Sequence, residues 1–253
     1  MKKIKIISFI LFGSLIGSIH ACFAIQTKFI LIIPLYNETK KNRAKEYTAC
    51  LKKNLENELI EHIHIVYDTS NNTDYDSIAD YLKNPKVTFN TVFGRQSYDY
   101  FFKLANKNYP NKKIILSNAD IFFNKTLTYL NDYNFKNNLL ALTRWNVQND
   151  GSLEIFKQFD KNGYYHKENS ARSQDTWIFE TPIKNFACDD IKLGIMGCDS
   201  AIAYRALKAG LTVKNPCLTI QCCHLHLSEK KDYAAEPNPY WGQPRAAIPW
   251  EIL

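Results

Sequence analysis

The sequence predicts an α/β protein built around a central, mostly parallel β-sheet. Short runs of consecutive apolar residues at 29–33 and 114–116, and a mainly apolar run at 63–67 that is interrupted by His64, are typical of strands that are buried on both faces. Between these runs lie segments whose apolar residues have helical spacing. Strands that alternate with helices in this way indicate parallel strands joined by right-handed crossovers.

The first half of the chain supports this prediction element by element. The strand at 29–33 stops at Pro34, which cannot donate a ladder hydrogen bond. In the segment 44–59, Tyr47, Leu51 and Leu55 can share one face of a helix. The remaining predicted elements are a strand at 63–67, a short helix at 78–82, a strand at 87–92, a helix at 98–105 and the strand at 114–116.

The second half is less regular. A strand is predicted at 139–143, and the polar segment 146–173 is predicted to be mostly loop with a short strand near 153–156. An aromatic strand follows Asp175, and a helix at 200–209 ends before Gly210, the usual residue after a helix C-terminus. The last predicted strands are 211–213 and 218–222.

Composition excludes two broad classes of protein. The chain has 253 residues, of which 45% are hydrophobic, so it can bury a core and is not a disordered polypeptide. Its formal net charge is +7, but Lys2, Lys3 and Lys5 supply three of those charges, which leaves +4 for the rest. That balance is too mild, and too evenly spread, to indicate a nucleic-acid partner.

The N-terminus has the pattern of a targeting segment. Three lysines precede a largely apolar stretch, and small residues follow near Ala24. We therefore predict a cleaved signal peptide or an uncleaved membrane anchor at residues 1–24, with a lipoprotein site at Cys22 as a third alternative, and a single domain at 25–253. Each alternative places the domain outside the cytoplasm. The six cysteines beyond Cys22 permit disulfides without fixing their pairing.

Candidate site residues gather around the stretch 114–124. Asp120 lies in a polar break between two apolar runs, which would put its carboxylate at the carboxyl end of a core strand, where open α/β sheets bind ligands. Oxygen ligands suit hard divalent cations, although Asn118 and Asp120 are also common turn residues. Near the C-terminus, His224 and His226 alternate along a predicted strand, so that their side chains point the same way.

The order of several short motifs resembles family-2-type glycosyltransferases of the GT-A fold. The motifs are PLYNE (34–38), SNADI (117–121), ALTRW (141–145), SQDTW (173–177), GCD (197–199), NP (215–216) and HLH (224–226). The resemblance extends from about residue 29 to residue 233. It implies a three-layer sandwich with a central, mostly parallel sheet, and an enzyme that moves a sugar from a nucleotide-diphosphate donor to a hydroxyl of a glycan, lipid or protein.

The resemblance also implies roles for individual residues. Asp120, with His226 or His224, would hold a divalent metal, Mn²⁺ or Mg²⁺, on the donor diphosphate. Asp199 would take the proton of the acceptor hydroxyl, although it could instead cap the helix that follows. Asn118 stands where the family has the first aspartate of its metal motif; its amide can bind a ribose hydroxyl but brings no charge.

Four further residues are candidates for binding the substrates. Asp175 could bind the donor sugar or the acceptor, Arg95 and Arg144 could pair with phosphate oxygens, and Trp177 could offer a stacking surface. Two other functions remain open: an exported, non-catalytic sugar- or nucleotide-binding protein on a degenerate frame of this kind, or a metal-dependent hydrolase. The expected location is the periplasm, the exterior or the lumen of a secretory pathway.

Overall fold

The computed structural model describes residues 26–71, 78–160, 162–226, 239–240 and 242–253. The predicted signal or anchor segment at 1–24 lies outside these residues. In chain order the elements are β1 (Phe29–Tyr36), α1 (Lys41–Glu56), β2 (Ile60–Asp68), α2 (Ala79–Leu82), β3 (Val87–Val92), α3 (Tyr98–Asn108), β4 (Lys113–Ser117), β5 (Ile121–Phe123), a 3-10 helix (Lys125–Leu130), β6 (Asn138–Leu142), β7 (Trp145–Val147), β8 (Leu153–Ile155), α4 (Lys167–Ser170), β9 (Thr176–Glu180), α5 (Cys198–Lys208), β10 (Thr212–Lys214) and β11 (Cys222–His224).

Seven of the strands form one central sheet, in the order β10-β6-β9-β4-β1-β2-β3. Neighbouring strands are parallel, except that β9 runs antiparallel to both β4 and β6. The predicted mostly parallel sheet is therefore confirmed. Because β9 is reversed, its first residue lies at the same edge as the last residues of β4 and β6.

The sheet is covered on both faces, which gives the three layers. Along β1, Leu31 and Ile33 pack on one side with Leu51 of α1, whereas Ile30 and Ile32 pack on the other side with α3 and α5. This alternation explains why β1 is an unbroken apolar run rather than an amphipathic strand.

Several boundaries differ from the sequence prediction by a few residues, and two of these differences have a clear cause. β1 continues through Pro34 to Tyr36, because β4 pairs with β1 only as far as Ile32 and so requires no hydrogen bond from Pro34. The last strand begins at Cys222, four residues later than predicted, because the carbonyl of Pro216 accepts hydrogen bonds from Thr219 and Ile220 and closes a turn there.

A second, smaller sheet lies beyond the carboxyl edge of the central one. Its order is β5-β11-β7-β8, and β11 pairs antiparallel with β5 and parallel with β7. Through the pairing of β5 with β11, this sheet brings the residues directly after β4 next to residue 224, which is about a hundred residues later in the sequence.

The six cysteines from Cys50 to Cys223 are buried thiols, and no disulfide forms among the described residues. Within the same residues, none of the helices has the length and hydropathy needed to cross a bilayer.

Candidate active site

Three of the predicted site residues meet at the carboxyl edge of the central sheet. Ser117, the last residue of β4, pairs with Thr176, the first residue of β9. This register brings the turn that contains Asn118 and Asp120 against Asp175, and the backbone N–H of Asn118 donates to the carbonyl of Asp175 at 3.2 Å. Open α/β sheets bind their ligands at this edge.

The second sheet brings a histidine to the same place. His224 pairs with Ile121 across β11 and β5, and the Leu225 N–H donates to the Asp120 carbonyl at 3.1 Å. As a result, His224 Nε2 lies 3.1 Å from Asp120 Oδ2, and both side chains are almost fully buried. Two residues that are 104 positions apart are therefore in direct contact, which is the convergence predicted from the sequence. Their role as metal ligands stays a prediction.

His226 lies beside this pair but is exposed. Its ring stacks on that of His224, with a centroid distance of 5.4 Å and an interplanar angle of 25°, so the two rings face the same way, as predicted. Partial burial, and then the proximity of His224, lower the pKa of His226. A lowered pKa favours the neutral imidazole, which is the form that binds metal ions.

The tautomer of His224 follows from its other neighbour. Arg144 can only donate, and its Nε lies 3.2 Å from Asn146 Oδ1, which therefore acts as an acceptor. His224 Nδ1 is 3.2 Å from the same oxygen and must donate to it. Neutral His224 thus presents the lone pair of Nε2 to the carboxylate of Asp120. In this tautomer Nε2, 3.1 Å from Asp120 Oδ2, is the ring nitrogen that can bind a metal ion.

Sequence analysis missed two buried charged residues, Arg43 and Glu46 of α1. Arg43 Nη2 lies 2.5 Å from Asp120 Oδ2, and Arg43 Nη1 lies 2.6 Å from Glu46 Oε2. The exposed fractions are only 6% for Arg43 and 0% for Glu46. Apolar spacing alone predicts this helix, but Arg43, Glu46 and Asn54 share its buried face with Tyr47 and Cys50. Polar residues at helical spacing on an apolar face were the available signal.

Asn54 connects the same helix to the turn that carries Asp120. Its Nδ2 donates to the Ile121 carbonyl at 2.9 Å, and its Oδ1 accepts from the Phe123 N–H at 3.1 Å. Both backbone groups belong to β5, so α1 fixes the position of this strand and of the turn before it.

Asp175 and Arg144 form a second charged pair next to the first. Arg144 Nη1 donates to Asp175 Oδ2 at 2.9 Å, and Asn118 Nδ2 donates to Asp175 Oδ1 at 2.9 Å. Because Arg144 also contacts Asn146, hydrogen bonds connect Asp175 to His224. The predicted residues Asn118, Asp175 and Arg144 thus belong to one polar network with Asp120 and His224.

Asp199 lies in the first turn of α5, and the N-cap of that helix is Gly197, with φ of 85°. The alternative interpretation of Asp199 as the N-cap is therefore wrong. Cys198 Sγ donates to Asp199 Oδ1 at 3.1 Å. Burial, and then the nearby negative charge of Asp175, raise the pKa of Asp199 to about 8. At neutral pH this carboxyl group is therefore largely protonated.

This raised pKa makes stability depend on pH. The folded protein holds the Asp199 proton up to about pH 8, whereas the ordinary pKa of the group is 3.8. Stability from this group is complete below the ordinary pKa and is lost as pH rises through the folded value. We expect the melting temperature to fall between pH 5 and pH 8.5, and to fall less in Asp199→Asn. Equal slopes for the two proteins in thermal melts would contradict the raised pKa.

Two predicted residues lie apart from this network. Arg95 is exposed, and its Nη1 donates to the Gly194 carbonyl at 2.6 Å, so it contacts the loop that leads to α5. Trp177 has no exposed surface, and its ring packs edge-on against Tyr98 at a centroid distance of 4.8 Å. The expectation that Trp177 offers a stacking surface is therefore not met, because β9 is covered on both faces and this side chain belongs to the core.

The donor set can be tested against a divalent metal. Asp120 Oδ2 and His224 Nε2 are 3.1 Å apart, and His224 is oriented through Nδ1 in the way metal-bound histidines are. Of the charged groups Glu46, Arg43, Asp120, Arg144 and Asp175, three are carboxylates and two are cations. The residues therefore fit a cation. Among the described residues no three His, Cys, Asp or Glu side chains form a complete metal site, so a bound ion would take further ligands from substrate or water.

Comparisons with known proteins show the fold. No family model matches the sequence, and no curated protein sequence does. Three solved structures are similar: GalNAc-T7 with UDP, GalNAc and Mn²⁺ (TM-score 0.50, 12% identity, 88% of this chain and 47% of that one), the Pyrobaculum calidifontis mannosyltransferase PcManGT with GDP-Man and Mn²⁺ (0.51, 13%, 82% and 59%), and residues 1–349 of S. aureus TarS with UDP-GlcNAc (0.52, 14%, 83% and 62%). The predicted GT-A fold is confirmed. The chain spans about half to three-fifths of the length of these structures.

Proposed function

We propose that the protein is a glycosyltransferase that moves a sugar from a nucleotide-diphosphate donor to a hydroxyl acceptor. The observation that carries the proposal is the pairing of Asp120 with His224 at the carboxyl edge of a GT-A sheet, next to Asp175 and near Asp199. The similar structures contain UDP, GDP-Man and UDP-GlcNAc, which supports a nucleotide sugar as the donor.

In this proposal, Asp120 and His224 hold a divalent ion, Mn²⁺ or Mg²⁺, and the exposed His226 is a third candidate ligand. When bound, such an ion stabilises the negative charge that develops on the leaving diphosphate. The charges of the site support this part of the proposal, since the surplus of carboxylates would otherwise repel a diphosphate.

Other side chains would position the donor. Arg144 is half-buried, and its guanidinium is held by Asp175 Oδ2 and Asn146 Oδ1, so its orientation is fixed before a substrate arrives. A pre-oriented guanidinium binds a phosphate or sugar oxygen with little further loss of entropy. Asn118 is also half-buried, and its amide can contact a ribose hydroxyl without adding charge. Arg95 remains a proposed phosphate contact on the loop after β3.

Asp199 is the proposed general base. A base must be within reach of the acceptor hydroxyl and have a pKa near the working pH. The raised pKa of Asp199 meets the second condition, because a carboxylate with an ordinary pKa would be too weak a base to take a proton from a hydroxyl at neutral pH. When the base is deprotonated, its charge is next to Asp175, and accepting the acceptor's proton relieves this repulsion.

One observation favours a second function, namely sugar or nucleotide binding without turnover. Asn118 stands at the position of the first aspartate of the glycosyltransferase metal motif. Its side chain is neutral, and its amide already donates a hydrogen bond to Asp175. This alternative predicts calorimetric binding of a nucleotide sugar without turnover, unchanged by Asp199→Asn. A metal-dependent hydrolase would instead release phosphate from simple phosphate esters with no nucleotide required.

A donor panel separates these functions. We expect incubation with UDP- and GDP-sugars and Mn²⁺ to release free nucleotide, slowly by hydrolysis and faster once a suitable glycan, lipid or protein acceptor is added. A metal chelator should abolish the release. If no donor is bound and none releases nucleotide, the proposal is refuted. We also propose export or membrane anchorage through residues 1–24, which is testable by sizing the mature protein and by fractionating cells.

A further inference from the structure

The carboxylate proposed to hold the metal already has a buried cation on it. Arg43 Nη2 contacts Asp120 Oδ2 at 2.5 Å, the same oxygen that faces His224 Nε2. The arginine is fixed from three sides, because Nη1 contacts Glu46 at 2.6 Å and Nε donates to the hydroxyl of Tyr47 at 3.1 Å. Its guanidinium also lies over the Tyr47 ring, 4.9 Å from the centroid.

This arrangement has two opposite effects on a cation at Asp120. The guanidinium orients the carboxylate, which saves the entropy of fixing it when an ion binds. It also repels that ion and competes for the same oxygen. The carboxylate of Glu46, which is fully buried beside Arg43, offsets the repulsion. Without Glu46, a buried positive charge would remain next to the ion with little solvent to screen it.

We propose that Arg43 and Glu46 are positioning residues that set the metal affinity of Asp120: Arg43 holds the carboxylate in place and weakens ion binding, and Glu46 restores it. The inference rests on the proposed metal-assisted transfer. It assigns a function to two residues that touch neither donor nor acceptor. It also explains why an ion pair is kept in a helix face that would otherwise bury apolar side chains.

The test measures the binding of Mn²⁺ without donor, by calorimetry, in purified wild-type protein and three variants, together with their kcat. Glu46→Gln should weaken Mn²⁺ binding at least about tenfold, because it leaves Arg43 unbalanced. Arg43→Gln should tighten it by a similar factor, about tenfold, and yet lower kcat, because Asp120 loses its orienting contact. The double variant Arg43→Gln/Glu46→Gln keeps the net charge and should bind Mn²⁺ within about threefold of wild type.

Arg43→Lys keeps the test informative if a single neutral variant fails to fold. An ammonium retains the charge but has no planar fork to contact Glu46, Tyr47 and Asp120 together. We expect a folded protein whose kcat falls about tenfold, with Mn²⁺ affinity changed by less than about threefold. Lys52→Gln, at an exposed position on the same helix, is the matched control and should match wild type in both measurements.

The outcomes distinguish this inference from the proposed function. Mn²⁺ binding that is present in wild type and unchanged in both Glu46→Gln and Arg43→Gln, with normal kcat in Arg43→Lys, would overturn the role of Arg43 and Glu46 alone. No Mn²⁺ binding to wild type, with or without UDP, would overturn both the inference and the proposed metal site.

Discussion

Replacing Asp120 with asparagine is expected to lower sugar transfer by about 100- to 1,000-fold, the usual effect of removing one group that stabilises developing charge. The amide keeps the shape of the side chain but removes the charge that His224 and Arg43 both contact. A neutral group at this place would bind a divalent ion poorly. The negative charge that develops on the leaving diphosphate would then not be stabilised by an ion. The measurement is nucleotide release at saturating donor and Mn²⁺.

Asparagine is preferred to alanine at position 120 because alanine would leave Arg43 buried without this partner. The amide oxygen of asparagine can still accept a hydrogen bond from Arg43, whose charge remains paired with Glu46, whereas complete loss of a buried partner costs about 3–5 kcal/mol of stability and could unfold the protein. Asp132→Asn, at an exposed position, is the matched control and should retain full activity. Activity in Asp120→Asn within a few-fold of wild type would exclude a metal-holding role for this carboxylate.

Replacing Asp199 with asparagine is expected to lower kcat by about 100- to 10,000-fold, the range for loss of a general base. The two side chains have the same shape, so the thiol of Cys198 can still donate to the oxygen at this position. Donor binding, measured by calorimetry, should change little, since the base acts on the acceptor. This separation of kcat from donor affinity distinguishes Asp199 from Asp120.

The pH dependence of the reaction provides a second test of the general base at position 199. Transfer requires the deprotonated carboxylate, and the pKa of Asp199 is raised to about 8. In wild type, kcat/KM should therefore rise by about tenfold per pH unit below that value and level off above it. The residual activity of Asp199→Asn should lack this rise, while Asp189→Asn, at an exposed position, should keep it. A profile that is flat between pH 6 and pH 8 in wild type would contradict the assignment.

The central sheet was predictable because buried parallel strands appear in the sequence as continuous runs of apolar residues. The apolar runs that begin at Phe29 and Ile114 are covered on both faces, so nothing in them alternates and their position in the core follows directly. Short strands at the edge of the fold leave little pattern. The apolar pattern predicts β11 too early, because the residues before it form a turn on the carbonyl of Pro216. This turn depends on backbone hydrogen bonds that residue type does not reveal.

The site was predictable where its residues follow strands, and it was missed where they lie on a helix. Asn118 and Asp120 follow β4, so their place at the carboxyl edge could be inferred from the parallel sheet, whereas Asp175 precedes β9 and reaches this edge only because β9 is antiparallel. Arg43 and Glu46 were missed because charged residues on a helix usually face solvent. Trp177 shows the opposite error. It is only two residues from Asp175 in the sequence, which suggests a place in the site, but its side chain points into the core.

The most direct test is a crystal structure of the protein with UDP and Mn²⁺, with the ion located by its anomalous scattering. The proposal predicts an anomalous peak between Asp120 Oδ2 and His224 Nε2, with the diphosphate on the ion and within reach of Arg144. UDP bound with its diphosphate away from Asp120, or an ion held by other residues, would contradict it.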